Sequence, residues 1–336
     1  MNKIFSAIRN VLRFHKKKIL FFFGSIAICL VLLFPYDDLS DFVSQKISEV
    51  TRGSVIMQFD SLAFALLPQL GIRMSNVTFD SVYAPELKFD SIGFAPSLAS
   101  LFGGVGGKVV AEGLFGGGAE ISVSRSNELD VDGTEFGLDI EIDNLNLKEL
   151  TQFLKDKMGV PYKALGVTNL DSKIHVDPSF KVQPKGDFEL KLEKFNVPAF
   201  VLTVYMGTGI NKVPMSIPLP SLKISKVLLI GKISSGKIII NEAKIGDAKD
   251  DLKGTISGDF DVDFAPGGRA QFKGYDVKLN LNVRDTLKQQ LGFILTFIDN
   301  YQQIGEKYKF DSLEGVRYEL SLSGRNLVQP PRVSSY

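Results

Sequence analysis

The sequence predicts a mainly β protein: a single N-terminal transmembrane helix, then an extended antiparallel sheet, curled into a groove or an open barrel, with a few covering helices. Three observations point there. Residues 19 to 36, ILFFFGSIAICLVLLFPY, carry no charge. From Ser54 onward apolar and polar residues alternate with period two, in short runs punctuated by Gly, Pro, Asn and Asp. Helical periodicity is confined to a few segments.

The apolar run comes first. At about 1.5 Å per residue its length as a helix is roughly 27 Å, close to the hydrocarbon core of a bilayer. Lys3, Arg9, Arg13, Lys16, Lys17 and Lys18 precede it with no acid among them, and Asp37, Asp38 and Asp41 follow. The basic flank stays in the cytoplasm, so the bulk of the chain is expected to be exported. A cleaved signal peptide is the competing reading. It requires a shorter apolar core and a small-x-small cleavage site, whereas Phe34-Pro35-Tyr36-Asp37 follows here.

Composition limits the partners. Setting those six bases aside from the 39 Lys and Arg leaves 33 against 38 Asp and Glu, a net charge of −5. That argues against nucleic acid as a partner. The one cysteine, Cys29, lies in the apolar run, so the exported part has no disulfide and depends on its own core.

Asp37 to Gly53 reads as an amphipathic helix, with Leu39, Phe42, Val43, Ile47 and Val50 at helical spacing and Gly53 suited to close it. Strands are expected at Ile72–Phe79, Leu87–Phe94, Ala119–Ser124, Phe136–Leu147, Ser172–Val176, Asp187–Val197, Ser221–Ile230, Lys237–Ile240, Leu252–Phe264, Ala270–Val283 and Arg317–Ser323. Three further helices are expected. Pro96–Phe102 is short. Asn146–Met158 has Asn146 as its cap, and Asp285–Gln303 carries Leu287, Leu291, Ile294, Leu295, Ile298 and Tyr301 on one face.

An internal repeat runs through the strands. Leu138, Ile140 and Ile142 alternate, the parity slips once after Asp143, and Leu145-Asn146-Leu147 follows. Phe188, Leu190 and Leu192 do the same before Phe195-Asn196-Val197, and Tyr318, Leu320 and Leu322 form a weaker copy before Asn326-Leu327. A β-bulge accounts for the slip: one extra residue keeps the apolar side chains on one face of a bending strand.

The search for chemistry is mostly negative, and no catalytic residue, cofactor or metal site is expected. His15 lies in the basic segment, and His175 in a strand is read as a structural or surface histidine. Gly231-Lys-Ile-Ser-Ser-Gly236-Lys237-Ile238 nearly spells a phosphate-binding loop, but Ile238 replaces the magnesium-binding hydroxyl and the context is strand-turn-strand; Ser234-Ser-Gly236 is read as a hairpin turn. Asp259, Asp261 and Asp263 are read as a solvated strand face, since calcium needs converging oxygens. Pro214, Pro218 and Pro220 make their stretch an edge segment or a crossing loop.

The order of motifs resembles a known family. After the basic N-terminus and apolar run come Phe34-Pro35, the amphipathic helix and Pro68-Gln-Leu-Gly71-Ile72. Pro96-Ser-Leu-Ala-Ser-Leu101, Leu114-Phe-Gly-Gly117, Pro218-Leu-Pro-Ser-Leu222, Gly231–Lys237 and Gly246-Asp-Ala-Lys-Asp-Asp-Leu252-Lys-Gly254 follow. This set resembles the GspN family of type II secretion systems in its long form, and the repeat ending in Leu-Asn-Leu is similar to the broader AsmA-like group. The family pattern has Gly where this chain has Gln69. The resemblance implies an inner-membrane anchor, no catalytic residues, and in the AsmA-like group a sheet that curls into a groove implicated in lipid movement.

The expected organisation is therefore a cytoplasmic basic segment at 1–18, a transmembrane helix at 19–36, an amphipathic linker helix at 37–53 and a periplasmic β-rich domain at 54–336. The expected function is a non-catalytic accessory component of type II secretion, with the inner membrane and other secretion components as partners. The alternative is a lipid-binding or lipid-transfer groove protein whose partners are acyl chains. An enzyme is a third, weaker hypothesis. Leu138, Ile140, Ile142, Phe188, Leu190, Leu192, Leu279, Leu281, Val283, Leu320 and Leu322 would line the groove, because so many one-sided strands need a cover that few helices can supply. A second sheet, making a filled sandwich, is the competing arrangement.

Overall fold

The structure is a computed structural model. It describes residues 40–51, 53, 55–65, 71–81, 86–97, 104–129, 135–158, 163–206, 213–265, 269–325 and 331–335, together with 17, 18, 21, 22 and 25. The expected transmembrane helix at 19–36 lies almost wholly outside these residues, as do Pro68-Gln69 and Asn326-Leu327. Among the described residues no helix is long and apolar enough to cross a membrane. The chain forms two compact units, Met1–Ala95 and Pro96–Tyr336.

In the first unit, helix α1 (Ser40–Val50) leads to strands β1 (Val55–Gln58), β2 (Ser61–Ala65), β3 (Gly71–Ser81) and β4 (Leu87–Pro96). β1 pairs the last part of β3 and β2 its first part, both antiparallel, so β3 lies between them and β4. The break between β1 and β2 faces Asn76, which has a left-handed φ of 50° and donates from Nδ2 to Asp60 Oδ2 at 2.8 Å. Met57, Leu62, Val77 and Ile92 are buried around it. Pro96, expected to start a helix, instead ends β4; residues 98–102 of that helix lie outside the description.

The second unit holds one large, open antiparallel sheet. In order its strands are β5 (Gly106–Leu114), β6 (Gly117–Ser126), β7 (Glu135–Asn146), β8 (Leu165–Val176), β9 (Lys185–Val197), β12 (Leu222–Ser234), β13 (Lys237–Ile245), β14 (Leu252–Ala265), β15 (Arg269–Arg284) and β17 (Gly315–Gly324). β16 (Lys309–Ser312) and β18 (Arg332–Ser334) divide the far edge of β17. β10 (Phe200–Met206) and β11 (Val213–Leu219) form a separate two-stranded ribbon. The proline-rich stretch is thus a ribbon strand and not part of the main sheet, because a proline has no amide to give to a ladder. Ser235 and Gly236, with φ of 52° and 74°, turn the two-residue hairpin between β12 and β13. Left-handed backbone at both central residues is what such a tight turn requires.

The expected bulges are present. Asn144 has φ 56°, and the β7–β8 register shifts between Ile142 and Leu145. Lys194 has φ 52°, and β8–β9 shifts where Val167 meets Glu193. Asn76 in β3 occupies the same place before an apolar residue, a copy of the repeat that the sequence comparison missed. The neighbouring chain accommodates the bulge at Asn144: a Cβ on Gly117 would lie 2.5 Å from the Asp143 carbonyl oxygen, so only glycine fits there.

Helix α2 (Leu147–Met158) starts where expected, with Asn146 Oδ1 accepting from the Lys148 amide at 2.9 Å. Thr151, buried in it, bonds to both backbone groups of Ala164 and ties the helix to the approach to β8. The single helix expected at Asp285–Gln303 is interrupted. It forms as α3 (Asp285–Gln290) and α4 (Gly292–Asn300), followed by a 3₁₀ turn at Tyr301–Gln303 and α5 (Ile304–Lys307). Gly292 follows the interruption, and Gln302 and Gln303 take left-handed backbone at the second turn. The breaks let short helices follow the sheet: Leu287, Leu295 and Ile304 pack with Val283, Val316, Tyr318 and Leu320 into the main buried cluster of this unit. Asp299 reinforces it, accepting from Lys309 Nζ at 2.5 Å and from the Tyr318 hydroxyl at 2.9 Å.

Leu287 is 3% exposed and Ile298 is 37% exposed, although both belong to the apolar face read from the sequence. Leu287→Ala is therefore expected to cost about 2–5 kcal/mol in denaturant unfolding, and Ile298→Ala to stay within roughly 0.5 kcal/mol of the parent. Equal losses would show that the helices are seated differently.

Candidate functional site

Opposed residues in an antiparallel ladder share a face, so the register defines the surface of the large sheet. One row crosses ten strands through Val109, Ile121, Ile140, Ser172, Phe188, Gly231, Ile240, Gly258, Val277 and Leu322. On one side of it runs Gly107, Val123, Leu138, Ile174, Gly186, Ile233, Ile238, Phe260, Tyr275 and Gly324. On the other runs Ala111, Ala119, Ile142, Leu170, Leu190, Leu229, Ala243, Ile256, Leu279 and Leu320. Beyond the bulge in β7 a shorter row continues from Leu145 through Thr168, Leu192, Val227, Ile245, Gly254 and Leu281 to Tyr318. No charged residue stands in these four rows.

All eleven residues named from the sequence lie on this face. Their surroundings differ along it. Leu138, Ile140, Ile142, Phe188, Leu190 and Leu192 are only half-buried, as are Leu279, Leu281 and Leu322, and Ile121 is 38% exposed. Val283 and Leu320, at 5% and 6%, belong to the core under α3 to α5 and are not open lining. The face is thus covered at its β15–β17 end and partly bare over β6 to β9. Glycines within the rows leave room for aromatic rings: a Cβ on Gly231 would lie 2.5 Å from Cζ of Phe188, its partner across the ladder. The eleven residues come from β7, β9, β15 and β17 only; the sequence reading named none of the contributions of β5, β6, β8, β12, β13 and β14 to the face. In β12 and β13 the apolar residues do not alternate cleanly, since Leu228, Ile230 and Ile239 add apolar side chains to the other face.

The opposite face is charged. Lys108 pairs with Glu120 and Lys191 with Glu189. Lys237 Nζ lies 3.1 Å from Asp259 and 3.2 Å from Asp261, and Lys273 lies 2.8 Å from Asp263. Lysines thus meet the three alternating aspartates of β14. Such half-exposed pairs contribute little stability each, but they keep this face in water.

His175 lies on the charged face, in a cluster that the sequence did not disclose. The Ser126 hydroxyl and His175 Nδ1 are 2.7 Å apart, and Glu135 Oε1 is 3.9 Å from the same nitrogen. Ser126 and His175 flank a cleft of about 390 Å³ lined also by Ser124, Arg125, Glu128 and Asp139. In a nucleophilic relay the hydroxyl and the acid address different ring nitrogens. Here both address Nδ1, and Glu135 is occupied elsewhere: its two oxygens accept from the Glu128 and Leu129 amides, each at 2.8 Å. The cluster pins the chain leaving β6 to the start of β7. Burial acts to raise the Glu135 carboxyl, but the hydrogen bonds from Ser126 and the two amides, with the charge of His175, outweigh it and hold the group below its ordinary value. Ser126 and His175 are 49 residues apart, and only the β6–β7–β8 register brings them together.

No family model, curated protein or solved structure matches the chain.

A carboxyl held below its ordinary value favours the folded state above the unfolded-state pKa, and loses that contribution as pH falls through the folded value. Glu135→Gln is accordingly expected to lower the unfolding midpoint at neutral pH. The gap from the parent should narrow and close as the buffer is taken below the ordinary glutamate value of 4.5. A gap that persists unchanged in acid would remove Glu135's charge from the account.

Proposed function

We propose that this is a non-catalytic protein of the cell envelope, anchored in the inner membrane with its bulk in the periplasm, whose apolar sheet face receives lipid acyl chains. The observation that supports this reading is the set of uncharged rows, continuous over ten strands, with no second sheet against them among the described residues. Bulges bend strands, and glycines within the rows relieve crowding on a concave side. The sheet is read as curling into the groove that the AsmA-like resemblance implies. Acyl chains entering such a groove would gain about 0.8 kcal/mol per buried CH₂.

A second reading is an accessory component of a type II secretion system, held beside its inner-membrane platform. The ordered motif set from Phe34-Pro35 to Gly254 favours it. The two readings differ in what the protein carries: lipid in the first, contacts with secretion components in the second.

Extraction of the whole chain in mild detergent, followed by native mass spectrometry, is expected to show co-purified lipid. Leu190 is half-buried between Leu170 and Leu229 on the open part of the face. Leu190→Glu should leave the circular dichroism spectrum unchanged and lower bound lipid at least about tenfold, since it places a charge among acyl chains. A wild-type protein that never carries lipid would end the groove reading and leave the secretion scaffold. The membrane assignment is checked separately by a periplasm-dependent reporter fused after Tyr336, expected to be active; activity only of a cytoplasm-dependent reporter would reverse the topology.

A further inference from the structure

The hairpin of β9 and β12 outruns the main sheet. Val197 stands opposite Leu222 at the end of that ladder and Phe200 opposite Leu219 at the start of the next, so β10 and β11 continue the same register beyond Pro198-Ala199 and Pro220-Ser221. The flanking strands stop earlier: β8 pairs β9 no further than Asn196, and β13 pairs β12 no nearer the ribbon than Val227. The ribbon is a sheet of its own with no third strand among the described residues, and its strands of 7 residues run about 24 Å. Val201 is 61% exposed, and Ser216 and Pro218 on the same side of the ribbon are exposed as well.

The two outer edges of this ribbon differ. Pro214 stands opposite Tyr205 and Pro218 opposite Val201. A proline gives no N–H to a ladder, so these are positions whose backbone groups point outward. Ser216, opposite Thr203, shares their phase. Between Pro214 and Pro218 the outer edge of β11 therefore offers a single N–H, that of Ser216. By the same alternation Val201, Thr203 and Tyr205 direct intact N–H and C=O groups out of β10. Prolines and charges ordinarily guard such an edge. β11 has its prolines, β16 carries Lys309 and Asp311, and β18 carries Arg332. β10, FVLTVYM, has neither guard. Between Asn196 and Lys223 the one charged residue is Lys212.

We infer that the open edge of β10 is an interface between two copies of this chain, in which β10 pairs antiparallel with itself about Thr203. Val201 of each copy then stands opposite Tyr205 of the other, and the two Thr203 oppose one another. All are outward-pointing positions, so each facing pair exchanges both of its N–H···O bonds. A strand paired with its own copy sets like residues against like, and an uncharged strand does this without the repulsion that opposed like charges bring. The contact uses one patch twice and therefore closes on itself. Its product is a four-stranded sheet bounded on both sides by the proline-guarded edge of β11, which resists a further strand, so association stops at two. The inference is independent of what the apolar face of the main sheet holds.

The test uses the full-length protein in a neutral detergent, with light scattering after size exclusion as the readout. Wild type is expected to run at twice the mass of one chain. Thr203→Pro removes an outward N–H and spares the ladder to β11, as Pro214 and Pro218 do from the other side. It should halve the mass and leave the circular dichroism spectrum unchanged. Ser216→Pro, on the guarded edge, should leave the dimer intact. Thr203→Cys in a Cys29→Ser background supplies a second measurement: a short bis-maleimide should join two copies, since Cα atoms of such a facing pair lie about 5.5 Å apart. A dimer that survives Thr203→Pro would place the contact elsewhere and overturn the inference. Loss of the dimer in both proline variants would also overturn it, because the whole ribbon and not one edge would then be responsible. Monomeric wild type would overturn it too, and would leave the edge to an extended segment of another protein. If Thr203→Pro disturbs the fold, the cysteine variant decides: cross-linked pairs support the interface, and their absence overturns it.

Discussion

Side chains on a strand alternate with a period of two, and one slipped residue sends every later side chain to the wrong face. The large sheet keeps one face apolar through ten strands, so each irregularity in it must be absorbed where it occurs. Asn144 and Lys194 do this by taking left-handed backbone where the register shifts, and Leu145 regains the face that Ile142 occupied. Asparagine tolerates that conformation at small cost, and a lysine in it is strained. Gly117 supplies the close approach that the bulge at Asn144 needs. Without these devices the residues beyond the bulges, Leu145 in β7 and Phe195 in β9, would turn to the charged face.

A one-sided sheet must dispose of its apolar face, and the chain does so unevenly. At β15 and β17 the short helices after Asp285 cover it, producing the best-buried cluster of this unit around Val316, Tyr318 and Leu287. Over β6 to β9 the same face has only half-buried side chains. Leaving apolar area in contact with water forgoes about 25 cal/mol per Å², which a structure of this size can sustain where the exposed surface has a use. That imbalance between a plugged end and a bare end is the physical ground for reading the face as a binding surface and the C-terminal helices as its stopper.

The polar side of the sheet carries a different lesson. Ser126, His175 and Glu135 contain the residue types of a hydrolase, yet their shared use of one imidazole nitrogen and the engagement of Glu135 by two backbone amides suit a loop anchor. The near match to a phosphate-binding loop at Gly231 likewise resolves into a hairpin, with Ser235 and Gly236 at its turn. In these two places residue types alone overstate the chemistry, and geometry makes one a loop anchor and the other a hairpin turn.

Local pattern was enough to read the strands with clean alternation, the cap at Asn146, the turn at Ser235-Gly236 and the bulges after Asp143 and Glu193, because each depends on neighbours within a few residues. It was enough, too, to name eleven apolar residues of one face from parity alone. It could not separate Val283 and Leu320, which are core, from Leu190 and Leu192, which are open, because cover is supplied by helices distant in the chain from β9. It misjudged the helix after Asp285 as continuous, since periodicity does not register the two breaks that fit short helices onto the sheet. The meeting of Ser126 with His175 is a product of strand register. Register is set by pairing between segments far apart in the chain, and only the tertiary structure decides it.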